Sequence, residues 1–238
     1  MGLDVYVGPL SRYYTGQWET ILQQYGRQAG LQVQVVRTPP QGRSLLSRLV
    51  DFFRPKPNAG QAVARWQVEL SRLTQVDVTW DDDPDREYFT DKPGWDCYGA
   101  LLLWAAYEEH GATKFPATAE RWHEDPIFKS AAADESSKYR HLLGGTEIWL
   151  PAEIRKPIQA PTLGGEPAVV GSVTGLAAEL RLLNDATWRA DGEAVSAWRR
   201  EGAESQDRFE TSARFGFAVF SELADLAVQN RLPMKLDY

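Results

Sequence analysis

Residues 98–107 read Tyr-Gly-Ala-Leu-Leu-Leu-Trp-Ala-Ala-Tyr, an apolar run interrupted only by Gly99. Inside the predicted helix 95–109 this run leaves no polar stripe. Such a helix has no face to turn to water and must be covered on every side, which puts it at the centre of the fold. His110-Gly111 closes it. The run is about half of what spans a bilayer, so it predicts a core helix and no integral membrane protein. A chain of 238 residues can supply the cover: at this size roughly 70–75% of the unfolded surface is buried on folding. No linker stands out, so residues 1–238 are read as a single globular domain.

The segments around this helix are mixed in period. Residues 3–7 alternate as Leu-Asp-Val-Tyr-Val, a short strand ended by Gly8-Pro9. Residues 15–29 read as a helix with Thr15 as N-cap and Trp18, Ile21, Leu22 and Tyr25 at helical spacing. A second strand is expected at 31–36, which makes the opening a strand–helix–strand unit with parallel pairing. Residues 43–53 suggest an amphipathic helix ended by Pro55 and Pro57, and residues 58–73 another with Val63, Trp66, Leu70 and Leu73 on one face. Residues 76–80 alternate like a strand. Further on, short helices are expected at 119–123 and 136–143 and a strand at 147–150. Residues 151–171, with four prolines, form a polar excursion or edge hairpin. Helices then follow from Ser172, over 188–202 and over 205–229. The class expected is α/β or α+β, helix-rich, with a small mixed sheet built from 3–7, 31–36, 76–80 and 147–150.

The charge is −7 overall but unevenly spread. Residues 1–72 hold nine Lys/Arg and four Asp/Glu, whereas residues 77–91 hold seven acids and only Arg86. An acidic chain is a poor match for bulk nucleic-acid binding. The basic side chains Arg37, Arg43, Arg48, Arg54 and Lys56 are expected to pair with the acidic segment in the same molecule. That segment interleaves Trp80, Asp81, Asp82, Asp83, Asp85, Glu87 and Tyr88. Like charges so dense repel each other and do not favour the fold. A plain solvated loop is one reading. The sharper one is a docking surface, because aromatic side chains anchor interfaces and a negative patch speeds encounter with a basic partner. Asp81, Asp83 and Asp85 also alternate as at the start of a calcium loop, but Arg86 stands where the loop needs Gly and Pro84 stiffens the turn. No metal or cofactor is expected.

Cys97 is the only cysteine, which excludes an intrachain disulfide and fits a reducing compartment. It lies near the start of the central helix, where free backbone donors favour a thiolate. The stretch Gly94-Trp95-Asp96-Cys97-Tyr98-Gly99-Ala100-Leu101 resembles the Asp-Cys-Ser-Gly-Leu motif of NlpC/P60-type cysteine peptidases, with Tyr98 where that family has Ser. The resemblance implies Cys97 as nucleophile and a histidine on a later strand as its base. Of His110, His123 and His141, only His141 precedes a strand-like segment. The plain alternative is a buried structural thiol. The opening MGLDVYVGPLSRYY resembles uncharacterised bacterial cytoplasmic proteins, a likeness that carries no activity with it. It has no basic region followed by an apolar one, so no signal peptide is read and a cytoplasmic chain is expected. The function expected is therefore non-enzymatic protein binding, in its most concrete form an immunity-type inhibitor of a basic toxin. A cysteine hydrolase using Cys97 and His141 is the alternative.

Overall fold

The computed structural model describes residues 2–31, 58–112, 114–202 and 209–238. Its strands are β1 (Asp4–Val7), β2 (Phe89–Asp91), β3 (Ile148–Leu150), β4 (Ile158–Pro161), β5 (Pro167–Ser172) and β6 (Met234–Asp237). Its α-helices are α1 (Leu10–Thr15), α2 (Ile21–Gln28), α3 (Ala59–Thr74), α4 (Gly94–Glu109), α5 (Pro126–Ala133), α6 (Arg140–Leu143), α7 (Val173–Ala186), α8 (Gly192–Glu201) and α9 (Phe209–Asn230). The strands form one mixed sheet in the order β2-β1-β6-β3-β5-β4, in which only β3 and β5 run parallel. The helix-rich α+β class expected from the sequence is what the chain adopts.

The sheet separates two cores. On one face, Val5, Val7, Trp149, Met234 and Leu236 pack with the apolar sides of α4, α7 and α9. On the other, Ile148, Leu150, Ala168 and Val170 pack with Val63, Trp66 and Leu70 of α3 and with Val78 and Trp80. Ile148 and Leu150 point one way and Trp149 the other, as strand geometry requires. The central helix is α4, buried without a break from Cys97 to Tyr107. It lies close against α9: a Cβ built at Gly216 would come within 2.4 Å of the Cys97 carbonyl oxygen. Among the described residues no helix is long and apolar enough to cross a membrane.

Several sequence expectations need correction. Residues 15–29 are not one helix. Thr15 ends α1, and Thr20 begins α2 with a capping box to Gln23. Trp18 lies between them, buried against Tyr6 and Tyr13. The parallel strand–helix–strand opening is also excluded, because β1 has antiparallel neighbours on both edges, β2 and β6. The expected strand 31–36, apart from Leu31, and the expected helix 43–53 lie outside the described residues. So do Arg37, Arg43, Arg48, Arg54 and Lys56.

Residues 76–80 belong to no helix or strand. Their partners are side chains of α3: Gln67 Nε2 donates to the Trp80 carbonyl (3.0 Å), and the Val78 N–H donates to Ser71 Oγ (2.9 Å). The alternation there reflects a strap with one buried side and no ladder. The expected helices 119–123 and 136–143 shrink to a 3₁₀ turn (Trp122–Glu124) and to α6. The excursion 151–171 contains a hairpin, with β4 at the sheet edge and β5 one strand inside it. Edge strand β4 ends in Pro161, and Trp66 of α3 caps its carbonyl (2.6 Å).

Candidate functional site

The acidic segment is a built turn. Helix α1 begins after Pro9 with no cap of its own, and the missing acceptor comes from 72 residues away. Asp82 accepts the Leu10 N–H on Oδ1 (2.7 Å) and the Ser11 N–H on Oδ2 (2.8 Å), and Ser11 Oγ returns a bond to the Asp82 carbonyl (2.9 Å). A carboxylate at a helix N-terminus satisfies orphan donors and faces the positive end of the dipole, typically worth about 1 kcal/mol. Trp80 is buried, and its indole N–H donates to Asp82 Oδ1 (3.0 Å).

Two arginines close the turn from outside. Arg86 donates to the carbonyls of Asp81 and Asn230. Arg12 donates to the Arg86 carbonyl (2.7 Å) and lies over the Tyr88 ring, 4.7 Å from its centroid. Tyr88 in turn stacks on Tyr6 and accepts the Glu19 N–H at its hydroxyl. Within the turn, Asp81 Oδ1 accepts the Asp83 N–H and Asp83 Oδ1 the Asp85 N–H, the short-range bonds that fix Asx turns.

The seven side chains expected to dock a partner therefore divide. Asp81, Asp83, Asp85 and Glu87 are exposed. Asp82 and Trp80 are structural, which corrects their assignment to the docking surface: one is a helix cap and the other is core. Tyr88 is half-buried and already engaged by the Tyr6 ring and the Arg12 guanidinium. Beside the turn, a cleft of about 610 Å³ is lined by Thr79, Asp81, Arg86 and Arg231. It adjoins a second of about 470 Å³ through Thr79 and Arg231. Among the described residues no group of three or more His, Cys, Asp or Glu side chains is arranged to hold a metal ion.

Cys97 lies in the first turn of α4 and lines a separate cleft of about 400 Å³ with Trp95, Glu120, Phe209 and Ser212. Burial pushes its thiol up to about 11, against the opposing effect of a hydrogen bond with the Ser212 side chain. Desolvation here outweighs the helix dipole. At pH 7 that leaves roughly one thiolate in ten thousand. No histidine is among the described residues lining this cleft.

His141 is elsewhere, enclosed by Gly171, Ser172 and Gly175. Burial lowers it to about 4, so it is neutral and already hydrogen-bonded. The nucleophile–base pair that the hydrolase reading requires is not assembled. No family model matches the chain. No curated protein and no solved structure matches it either.

The thiol's state is directly measurable. Native Cys97 is expected to react with a soluble alkylating reagent at pH 7.5 at least about a hundredfold more slowly than in the unfolded chain, given its burial and raised pKa. Labelling at the unfolded rate would mean an accessible thiolate and would revive the hydrolase reading.

Glu179 escaped the sequence reading. It is buried on α7 and accepts the backbone N–H groups of His141 and Leu142 (2.8 and 2.9 Å), capping the start of α6 from across the core. A signal for it existed, since it falls three residues after Leu176 and four before Leu183 on the apolar stripe. An acid in such a position needs a buried partner.

Proposed function

We propose that the chain is a non-enzymatic binding protein that receives a basic protein partner on the turn 81–87. Its most specific form is an immunity-type inhibitor that neutralises a basic toxin in the bacterial cytoplasm. One observation carries the reading: four exposed carboxylates stand on a turn fixed by the Asp82 cap, by buried Trp80 and by Arg86. A solvated loop that only aids solubility needs no such framework. A preformed turn presents its charges without a further ordering cost, which favours association.

The framework also determines the variant. Asp82 must stay, because its removal would loosen α1. Asp81→Asn, Asp83→Asn, Asp85→Asn and Glu87→Gln together remove four charges and keep the shapes. From a lysate of the source organism, the wild-type chain is expected to retain a basic protein at low salt. That protein should associate roughly tenfold or more slowly with the variant, with a much weaker dependence on ionic strength. Recovery of the same proteins by both chains, or of none by the wild type, would leave the turn as solvated surface and end this reading.

A further inference from the structure

His141 joins four separate parts of the fold. Its main-chain N–H donates to Glu179 of α7 (2.8 Å), and its carbonyl accepts the Trp149 indole N–H from β3 (2.8 Å). Its ring Nδ1 accepts the N–H of Ser172, the last residue of β5 (3.1 Å). Nδ1 is therefore unprotonated, so the proton of the neutral ring sits on Nε2. The ring's remaining bond is to the backbone of Arg155, in the loop after β3.

The ring is also tightly fitted. A Cβ on Gly175 would lie 2.3 Å from Cδ2, and one on Gly171 would lie 2.8 Å from Nδ1. Only glycine lets the β5–α7 junction close over the imidazole.

The same segments wall a cleft. Pro151, Ala152 and Glu153 from the loop, with Val173 and Thr174 from the start of α7, line the 470 Å³ cleft at the carboxyl ends of the parallel strands β3 and β5. Glu153 accepts from Thr174 Oγ1 across it (3.4 Å).

We propose that His141 is an acid-operated latch, whose neutral ring holds the β5–α7 junction closed through the Ser172 N–H and whose protonation releases that junction and opens the cleft it lines, while the bond to the Arg155 backbone persists. The chemistry is local. A proton on Nδ1 turns that atom from acceptor into donor, so it confronts the Ser172 N–H instead of binding it. The ring cannot turn to escape, because Gly171 and Gly175 enclose it.

The charged groups around the ring bear on the result. Burial lowers the ring to about 4, against the backbone bond to Arg155 and with a smaller contribution from the positive charge of Arg140 on α6. Arg155 and Glu153 stand on the loop 151–155, which the Nε2–H bond to the Arg155 backbone keeps in both protonation states. On α7, Glu179 binds the main chain of residue 141 and is influenced by Glu109 of α4. Its own titration has the opposite sign, because burial raises it to about 8.

The measurement is amide hydrogen exchange at Ser172 and in the first turn of α7, corrected for intrinsic rates. It is made on the wild type and on Glu179→Gln, which removes the opposing titration. With His141 near 4 when closed and near 6.5 when open, the local opening constant should rise about thirtyfold from pH 7.5 to pH 5. His141→Gln, neutral at both pH values and able to accept from Ser172, should lose this rise. An unchanged opening constant in Glu179→Gln, or a rise that persists in His141→Gln, overturns the latch. If His141→Gln does not fold, the ring nitrogen chemical shifts of the wild-type protein decide. They should show the Nε2–H tautomer down to pH 5.5, and a charged ring or the Nδ1–H tautomer at pH 6 overturns the proposal.

Discussion

Replacing Gly216 by Ala is expected to destabilise the chain by about 2 kcal/mol, even though alanine is the better helix former. In an exposed helix the exchange would gain up to about 1 kcal/mol. At Gly216 the new methyl would meet the Cys97 carbonyl carbon at 3.0 Å and its oxygen at 2.4 Å. Those are backbone atoms of α4, which is covered on all sides, so the strain cannot be relieved by turning a side chain. Either α9 moves off α4 or the first turn of α4 distorts, and overpacking of this kind typically costs about 1–3 kcal/mol. For a chain of this size the melting temperature should fall by about 4–8 °C. Gly60→Ala is the control. Among the described residues its Cβ would meet only Asn58 Oδ1, at 3.6 Å, so stability should hold or rise slightly. A Gly216→Ala chain as stable as wild type would mean that α4 and α9 do not approach this closely.

What could be read from the sequence follows the range of the interactions involved. Helix α4 was legible because burial on all sides is written into ten consecutive residues. The start of α3 at Asn58 was legible because the cap acts two residues away, on the Gly60 N–H. Strand β1 was legible, but its neighbours were not, since pairing with β2 and β6 joins residues more than eighty apart. The strap 76–80 misled because Val78 and Trp80 are buried while Asp77 and Thr79 are exposed. That alternation records a chain with one covered side and does not say what covers it. Asp82 shows the same limit within the candidate site. Nothing nearby in sequence distinguishes it from Asp81 or Asp83, and its role depends on two N–H groups of α1. His141 drew notice by elimination among three histidines. Its structural role depends on Gly171, Ser172 and Gly175, thirty and more residues later.

Stability is expected to respond to pH through two buried groups of opposite sign. Burial lowers His141 from 6.5 to about 4. Between those values the unfolded chain binds a proton that the folded chain does not, so stability falls as pH falls through this window. Burial raises Glu179 from 4.5 to about 8. Between those values the folded chain holds the extra proton, so stability falls as pH rises. Where the windows overlap, from 4.5 to 6.5, the two slopes cancel. From 6.5 to 8 only Glu179 acts, at about 1.4 kcal/mol per pH unit, or about 2 kcal/mol over the interval. Glu179→Gln cannot ionise and still offers a carbonyl oxygen to one of the two N–H groups at the start of α6. Relative to wild type it should lose the decline above pH 6.5. It should also uncover the His141 slope, so that its stability climbs from pH 4.5 to pH 6.5 where the two slopes cancel in the wild type. The Glu179 slope appears as the difference between the two chains' urea midpoints measured from pH 4 to pH 8.5, which cancels the titrations they share, and the His141 slope is read from the variant's own midpoints. If the difference is constant across that range, Glu179 is ionised in the folded chain at neutral pH and its carboxylate is held by the two N–H bonds at α6 in spite of its burial.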